Sequence, residues 1–262
     1  MKVRSARSVR SIRSPRQAAT AAAAAAVLSL TAACGGASSD AGDKSGGRAE
    51  AKPAASATAS AAADKRVSST GETLGEGELK KVALVSGDVP DFAVTSLQGG
   101  DETGTERAEQ PECQPLAAVI NGAPEPTPSA AVHRTLTDES EEGNDDQTVV
   151  TEILTSYPEG RAMQVLRGVK NAVGACAGGF KTTGGDGPST YTEVKELPAP
   201  KAGQEALAYQ VTGSFEGTKV PLVFQLVRTG STVVIFYAAN FIDAKTPEIP
   251  AGLATAQAAK LP

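Results

Sequence analysis

One histidine, a run of carboxylates and a glycine-rich loop are where reactive or ligating groups collect in this sequence. His133 lies in a stretch whose alternation puts Ala131, His133 and Thr135 on one face and Val132, Arg134 and Leu136 on the other. A catalytic histidine needs a nucleophile and an orienting carboxylate beside it. No Gly-x-Ser-x-Gly elbow supplies one, so His133 is read as a solvated strand residue. The segment DESEEGNDD offers Asp138, Glu139, Glu141, Glu142, Asp145 and Asp146 as oxygen ligands of the kind calcium prefers. Its spacing fits no EF-hand, and a charged loop between strands is soluble without an ion. The loop TTGGDGPS lacks the Lys-Ser or Lys-Thr pair and the following helix of a phosphate cradle. Paired carboxylates such as Asp138 and Glu152 leave one route to chemistry, that of a hydrolase acting on cell-wall glycans. The reading adopted assigns no catalytic residue, no metal ligand and no cofactor.

The first residues carry a different kind of information. Lys2, Arg4, Arg7, Arg10, Arg13 and Arg16 precede an apolar run from about Ala18 to Ala33 with no acidic residue among them, the order of charged and apolar segments found in an export signal. The run is roughly 16 residues of mostly alanine, short of the ~20 strongly apolar residues of a permanent span. It ends in LSLTAACGG, which resembles the lipobox of bacterial lipoproteins: Ala32 and Ala33 stand before Cys34, and Gly35 and Gly36 after it. Thr31 departs from the leucine commonest at that place. The resemblance implies cleavage after Ala33 and a lipid on Cys34, which makes the outer face of the cell membrane the expected location and the membrane a partner through that lipid.

With Cys34 so used, Cys113 and Cys176 remain as an even pair in an oxidising compartment, where a disulfide is the expected fate. A bridge closing a loop of roughly 64 residues stabilises by about 4 kcal/mol in the chain-entropy model. Once the six basic residues of the signal are gone, 19 Lys and Arg face 30 Asp and Glu, a net charge of −11. Such a chain repels phosphate backbones, so nucleic acid is not an expected partner.

Three segments follow: the signal over 1–33, a lipidated cysteine and disordered tether over 34–73, and a folded domain over 74–262. The tether is Ala, Ser, Gly, Asp and Lys with scarcely a large apolar residue, too little to offset the entropy of ordering. In the domain, a first helix is expected around Leu79, Val82, Ala83 and Val85, ending near Gly87, then a strand from Phe92 to Leu97. A brief helix opens at Pro115 and closes at Asn121 and Gly122. Strands Ala130 to Thr137 and Thr148 to Tyr157 come next. The clearest helix has Ala162, Val165, Leu166, Val169, Val173 and Cys176 at three- and four-residue spacing, with Cys176 on the buried face. After TTGGDGPS, read as a flexible loop, come strands Tyr191 to Leu197, Glu205 to Phe215, Lys219 to Arg228 and Thr232 to Phe241, the last three joined by tight turns that make antiparallel neighbours. The last strand is apolar on both faces, as a central strand covered on each side should be, and a helix from Ala251 to Lys260 supplies part of the cover. This pattern predicts an α+β domain, a mostly antiparallel twisted sheet with helices packed on it.

The stretch EGRAMQVLRGVKNAVGACAGGF, followed by a strand meander, is similar to the extracellular sensor domain of actinobacterial PknH-type serine/threonine kinases and to lipoproteins sharing that domain. ECQPLAAVING, with the partner cysteine, and the closing helix extend the likeness over some 150 residues. The resemblance implies an antiparallel sheet flanked by helices, a cleft able to receive a small ligand, and no catalytic residues to carry over. The sequence departs from the kinase pattern in having no kinase domain or transmembrane helix ahead of the sensor-like part, and cysteines for only one disulfide. Signalling through an attached kinase is therefore not expected.

The reading that follows is a lipid-anchored, non-catalytic ligand-binding or sensor-like domain, with a small ligand or an envelope protein as its partner. The rivals are the carboxylate hydrolase and a structural envelope lipoprotein that mediates protein contacts.

Overall fold

Runs that alternate between apolar and polar residues, or are apolar on both faces, become strands in the computed structural model, which describes residues 71–97, 103–140, 149–185, 187–215 and 217–262. The expected export signal over 1–33, Cys34 with nearly all of the expected tether, and the carboxylates Glu141, Glu142, Asp145 and Asp146 lie outside those residues. The strands are β1 (Phe92–Ser96), β2 (Arg107–Ala108), β3 (Ala130–Asp138), β4 (Val149–Ser156), β5 (Phe180–Thr183), β6 (Ser189–Leu197), β7 (Glu205–Phe215), β8 (Thr218–Thr229) and β9 (Thr232–Ala239). They form one nine-stranded sheet in the order β1-β3-β4-β9-β8-β7-β6-β5-β2. Every neighbouring pair is antiparallel. The expected α+β class is the observed one.

Among the described residues four α-helices cover this sheet: α1 (Glu76–Val82), α2 (Gln114–Ile120), α3 (Arg161–Ala175) and α4 (Ala251–Lys260). Helices α2 and α3 lie on one face, where Leu116, Val119, Val165, Leu166 and Val169 share a core with Tyr209, Phe224 and Ile235. Helices α1 and α4 lie on the other, where Leu79, Leu253 and Ala254 pack with Leu136, Leu154 and Phe236. Strand β9 feeds both cores, Val233 and Ile235 on one side and Val234, Phe236 and Ala238 on the other. Its two apolar faces follow from that position.

Several elements differ from the expectation. The first helix starts at Glu76, where the Glu78 carboxylate accepts from the Gly75 N–H at 2.8 Å, one half of a capping box. It stops at Val82 because the Asp88 carboxylate accepts from the Val85 N–H at 2.8 Å, closing residues 85–88 into a turn that leaves Val85 exposed. Strands β2 and β5 were not expected at all, and Thr182 and Thr183, read as loop, belong to β5. Gly179 makes the exit from α3 into β5 possible. Its φ is +92°, and a Cβ there would sit 2.3 Å from the Tyr191 carbonyl oxygen, so only glycine fits.

The chain joins the fold between β4 and β9. Ser231 donates to the Glu72 carbonyl, Thr73 donates to the Tyr157 carbonyl at 2.9 Å and the Leu74 N–H donates to the Ser156 hydroxyl at 2.8 Å. Ser156 and Thr232 are paired at that end of the sheet.

Candidate functional site

A cleft of about 450 Å³ opens on the α2/α3 face, at the other end of β9 from the point where the chain joins the fold. Its floor is Tyr191 on β6, Leu222 on β8 and Tyr237 on β9. Strand register aligns Leu222 with Ala239, so cleft and joining point are separated by nearly the whole of β9, about 23 Å of extended chain. One wall is Gly104, Thr105 and Glu106 with Ile120 and Asn121 from the end of α2. Gly185, Ser189, Phe215 and Phe241 complete the rim.

The chain has six Phe, four Tyr and no Trp, and four of those ten aromatic residues line this one cleft. Phe215 and Phe241 meet edge to face at 5.4 Å. Their rings separate the cleft from a smaller neighbouring cavity of about 420 Å³, lined also by Val220, Ile242 and Asp243. Gly213 carries no side chain where the Phe215 ring rests; a Cβ there would fall 2.5 Å from that ring. Tyr237 stacks on Phe224, and Phe224 on Tyr209, across three neighbouring strands. Burial pushes the Tyr237 phenol up to about 12, so it stays neutral.

Glu106 supplies the charge. Its Oε1 accepts from the Ser189 hydroxyl at 2.6 Å, and its Oε2 from Thr182 at 2.8 Å and Tyr191 at 3.4 Å. Burial, and after it the charge of Glu106, holds the Tyr191 phenol well above its usual range. The phenol therefore remains a donor. The backbone of Glu106 is fixed too. Its carbonyl accepts from the Asn121 side-chain amide at 2.7 Å, and the Gly104 N–H donates to the Asn121 carbonyl at 2.8 Å. The two glycines at the centre of TTGGDGPS pack against this segment, Gly184 beside the Thr105 carbonyl and Gly185 beside the Glu106 side chain. Their positive φ values, +93° and +57°, serve that close approach.

The disulfide braces the same region. Cys113, in a short 3-10 turn over Pro111–Cys113, is bonded to Cys176 at the end of α3, with Cα atoms 5.9 Å apart. It ties the segment that carries Glu106 and Asn121 to the helix that leads into β5 and β6, the source of the three hydroxyl donors. Both cysteines are buried.

Other candidates from the sequence lie elsewhere. His133 sits half-buried on β3 opposite Ile153 and does not line the cleft. Asp138 and Glu152 share a face of the sheet, but Glu152 is paired with Arg134. Asp138 is four residues further along β3, about 13 Å at strand spacing. That exceeds the ~5 to 9.5 Å that glycoside hydrolysis uses, and the buried side chains of Leu136 and Val150 intervene. Register thus removes this pair as a catalytic dyad. Among the described residues no group of three or more His, Cys, Asp and Glu side chains is arranged to hold a metal. Glu106, Ser189, Tyr191 and Tyr237 were not singled out from the sequence, because Glu106 stands in a polar stretch and reaches its donors only through the β2–β5–β6 pairing.

Fold and cleft together define an antiparallel α+β domain with a ligand-sized, aromatic-lined site that holds the Glu106 carboxylate. The chain is similar in structure to the extracellular domain of PknH from Mycobacterium tuberculosis, with 12% identity and a TM-score of 0.45, covering 72% of this chain and 95% of that one. It is also similar to an uncharacterised protein from Mycobacterium smegmatis, an Rv0999 ortholog, with 15% identity and a TM-score of 0.36, covering 71% of this chain and 94% of that one. No family model matches the sequence, and no curated protein matches it.

Proposed function

We propose that this chain is a lipid-anchored extracytoplasmic protein whose domain binds a small organic ligand in the cleft and carries out no reaction on it. The observation that carries this reading is the cleft itself, which gathers four of the chain's ten aromatic side chains around one carboxylate. Concave, mostly apolar sites with a few placed polar groups are what small ligands occupy. Both oxygens of Glu106 are engaged by hydroxyl donors, an arrangement that holds a carboxylate as a fixed acceptor. The position of the cleft suits a tethered domain, since it opens away from the end at which the chain joins the fold. The buried disulfide accords with an oxidising compartment.

The neutral fluorophore N-phenyl-1-naphthylamine tests the cleft. Saturable binding at one site is expected, weakened at least tenfold by Phe241→Ala, a change at a side chain 61% exposed and so of small consequence for folding. Non-saturable binding, or binding indifferent to Phe241→Ala and Phe215→Ala alike, would reject the reading.

The anchor rests on Cys34 and the lipobox-like residues around it. Cys34→Ser removes the thiol that carries the lipid, so the protein is expected to move from the membrane fraction into the medium. An unmodified Cys34 thiol in the intact mass of the native protein would reject lipidation.

A further inference from the structure

We infer that the cleft takes an organic cation, an ammonium or guanidinium group attached to an apolar body, with Glu106 as its counter-ion. This deepens the ligand-binding reading above and rests on it. Among the described residues that line the cleft Glu106 is the one that carries charge, and its partners are three neutral hydroxyls. Hydroxyl donors orient a carboxylate without cancelling its charge, and among the described residues no Lys or Arg stands within ion-pair distance of it. Its Oε1 accepts one hydrogen bond, leaving acceptor capacity for an incoming N–H.

A ligand that fills the cleft strips water from this carboxylate. A neutral ligand leaves the charge dry and unpaired, and an anion adds repulsion; a cation alone compensates both. The rest of the lining favours the same partner, because Tyr191, Tyr237, Phe215 and Phe241 carry aromatic rings of the kind whose quadrupole attracts a desolvated cation. The neighbouring cavity makes a useful contrast. Its carboxylate, Asp243, is already paired with Lys245 at 3.0 Å. The acidic balance of the whole chain draws cations toward the surface in addition.

Three probes of similar size separate the possibilities when titrated into the full-length chain, with the amide shifts of Asn121, Gly185 and Ser189 followed by NMR: 2-phenylethylamine as its ammonium ion, neutral 2-phenylethanol and anionic 3-phenylpropionate. The ammonium ion is expected to bind at least tenfold more tightly than the alcohol, and the anion more weakly than either. Glu106→Gln should bring the ammonium ion and the alcohol to equal affinity, because the ammonium ion loses its counter-ion and the alcohol no longer leaves a buried charge unpaired. Thr105→Lys, at an exposed position on the same wall, leaves the Glu106 network intact and supplies a competing cation. It should abolish the preference even if Glu106→Gln fails to fold. Equal binding of ammonium ion and alcohol by the native chain, a preference for the anion, or a preference that survives both substitutions would overturn the inference and leave the ligand-binding reading standing. Failure of all three probes to bind would overturn both.

Discussion

Replacing Cys113 and Cys176 together by serine is expected to lower the stability of the domain by about 4 kcal/mol, the loop-closure entropy returned to the unfolded chain when residues 63 apart are no longer joined. The bond lies under the segment that positions Glu106, and both sulfur-bearing residues are buried in the core beneath α2 and α3. Two hydroxyls in place of the bridge also leave polar groups among Leu116, Val169 and Val173, so the loss should not fall far below that figure. Urea denaturation of the oxidised native chain beside the double-serine chain measures it. A difference under ~1 kcal/mol would mean that the bridge neither constrains the unfolded state nor holds the cleft wall. The same variant should bind N-phenyl-1-naphthylamine more weakly, because the wall formed by Glu106 and Asn121 then loses its covalent tie to α3.

The second large effect concerns Glu152, whose stability contribution should decline as the pH is raised from 5 to 8. Glu152 lies on β4 between Arg134 and Phe236, with no solvent exposure and with neither carboxyl oxygen hydrogen-bonded. Burial pushes its pKa up to about 7, against the opposing pull of the positive charges of Arg134 and Lys260 and a backbone interaction with Leu84, while Asp88 adds to the rise. In the unfolded chain the group titrates near its ordinary value. The folded state therefore holds the proton more tightly, and stability is greatest below the unfolded pKa. It is lost as pH climbs through the folded one, and the loss levels off above it. A shift of this size corresponds to about 3 kcal/mol across that window. Glu152→Gln should remove this slope, which urea denaturation of both chains at pH 5 and pH 8 would reveal. Parallel pH profiles would contradict it. A raised carboxyl pKa is also what a general acid needs, but Glu152 lines neither of the two cavities described.

The class of fold was legible because its signals are local. The three- and four-residue spacing of α3 and the doubly apolar β9 report which face of an element is buried, whatever lies opposite. Tight turns at 229–231 and after Phe215 fix antiparallel neighbours within a few residues. The short strands β2 and β5 gave no such signal. Arg107–Ala108 has no periodicity to detect, and Phe180–Thr183 runs into a glycine pair that reads as loop. Both exist because each pairs with the other and with β6, a condition met only after the chain has folded.

The pairing of Cys113 with Cys176 and the α+β arrangement of helices and strands were legible in the chain before folding, while the export signal and the lipid on Cys34 are expectations from it. Composition, periodicity and cysteine number carry these, and none depends on distances between remote residues. The site came into being with the folded sheet. It brought Glu106 within hydrogen-bond reach of Thr182, Ser189 and Tyr191, up to 85 positions away, and gathered Phe215, Tyr237 and Phe241 at one end of the sheet. It also set Asp138 and Glu152 too far apart to act as a pair. The physical reason is register. Once the strands pair, a shift of one residue turns a side chain to the opposite face and a shift of four carries it ~13 Å along the sheet. Proximity between chemical groups is therefore a property of the paired sheet, absent from any single segment of the chain.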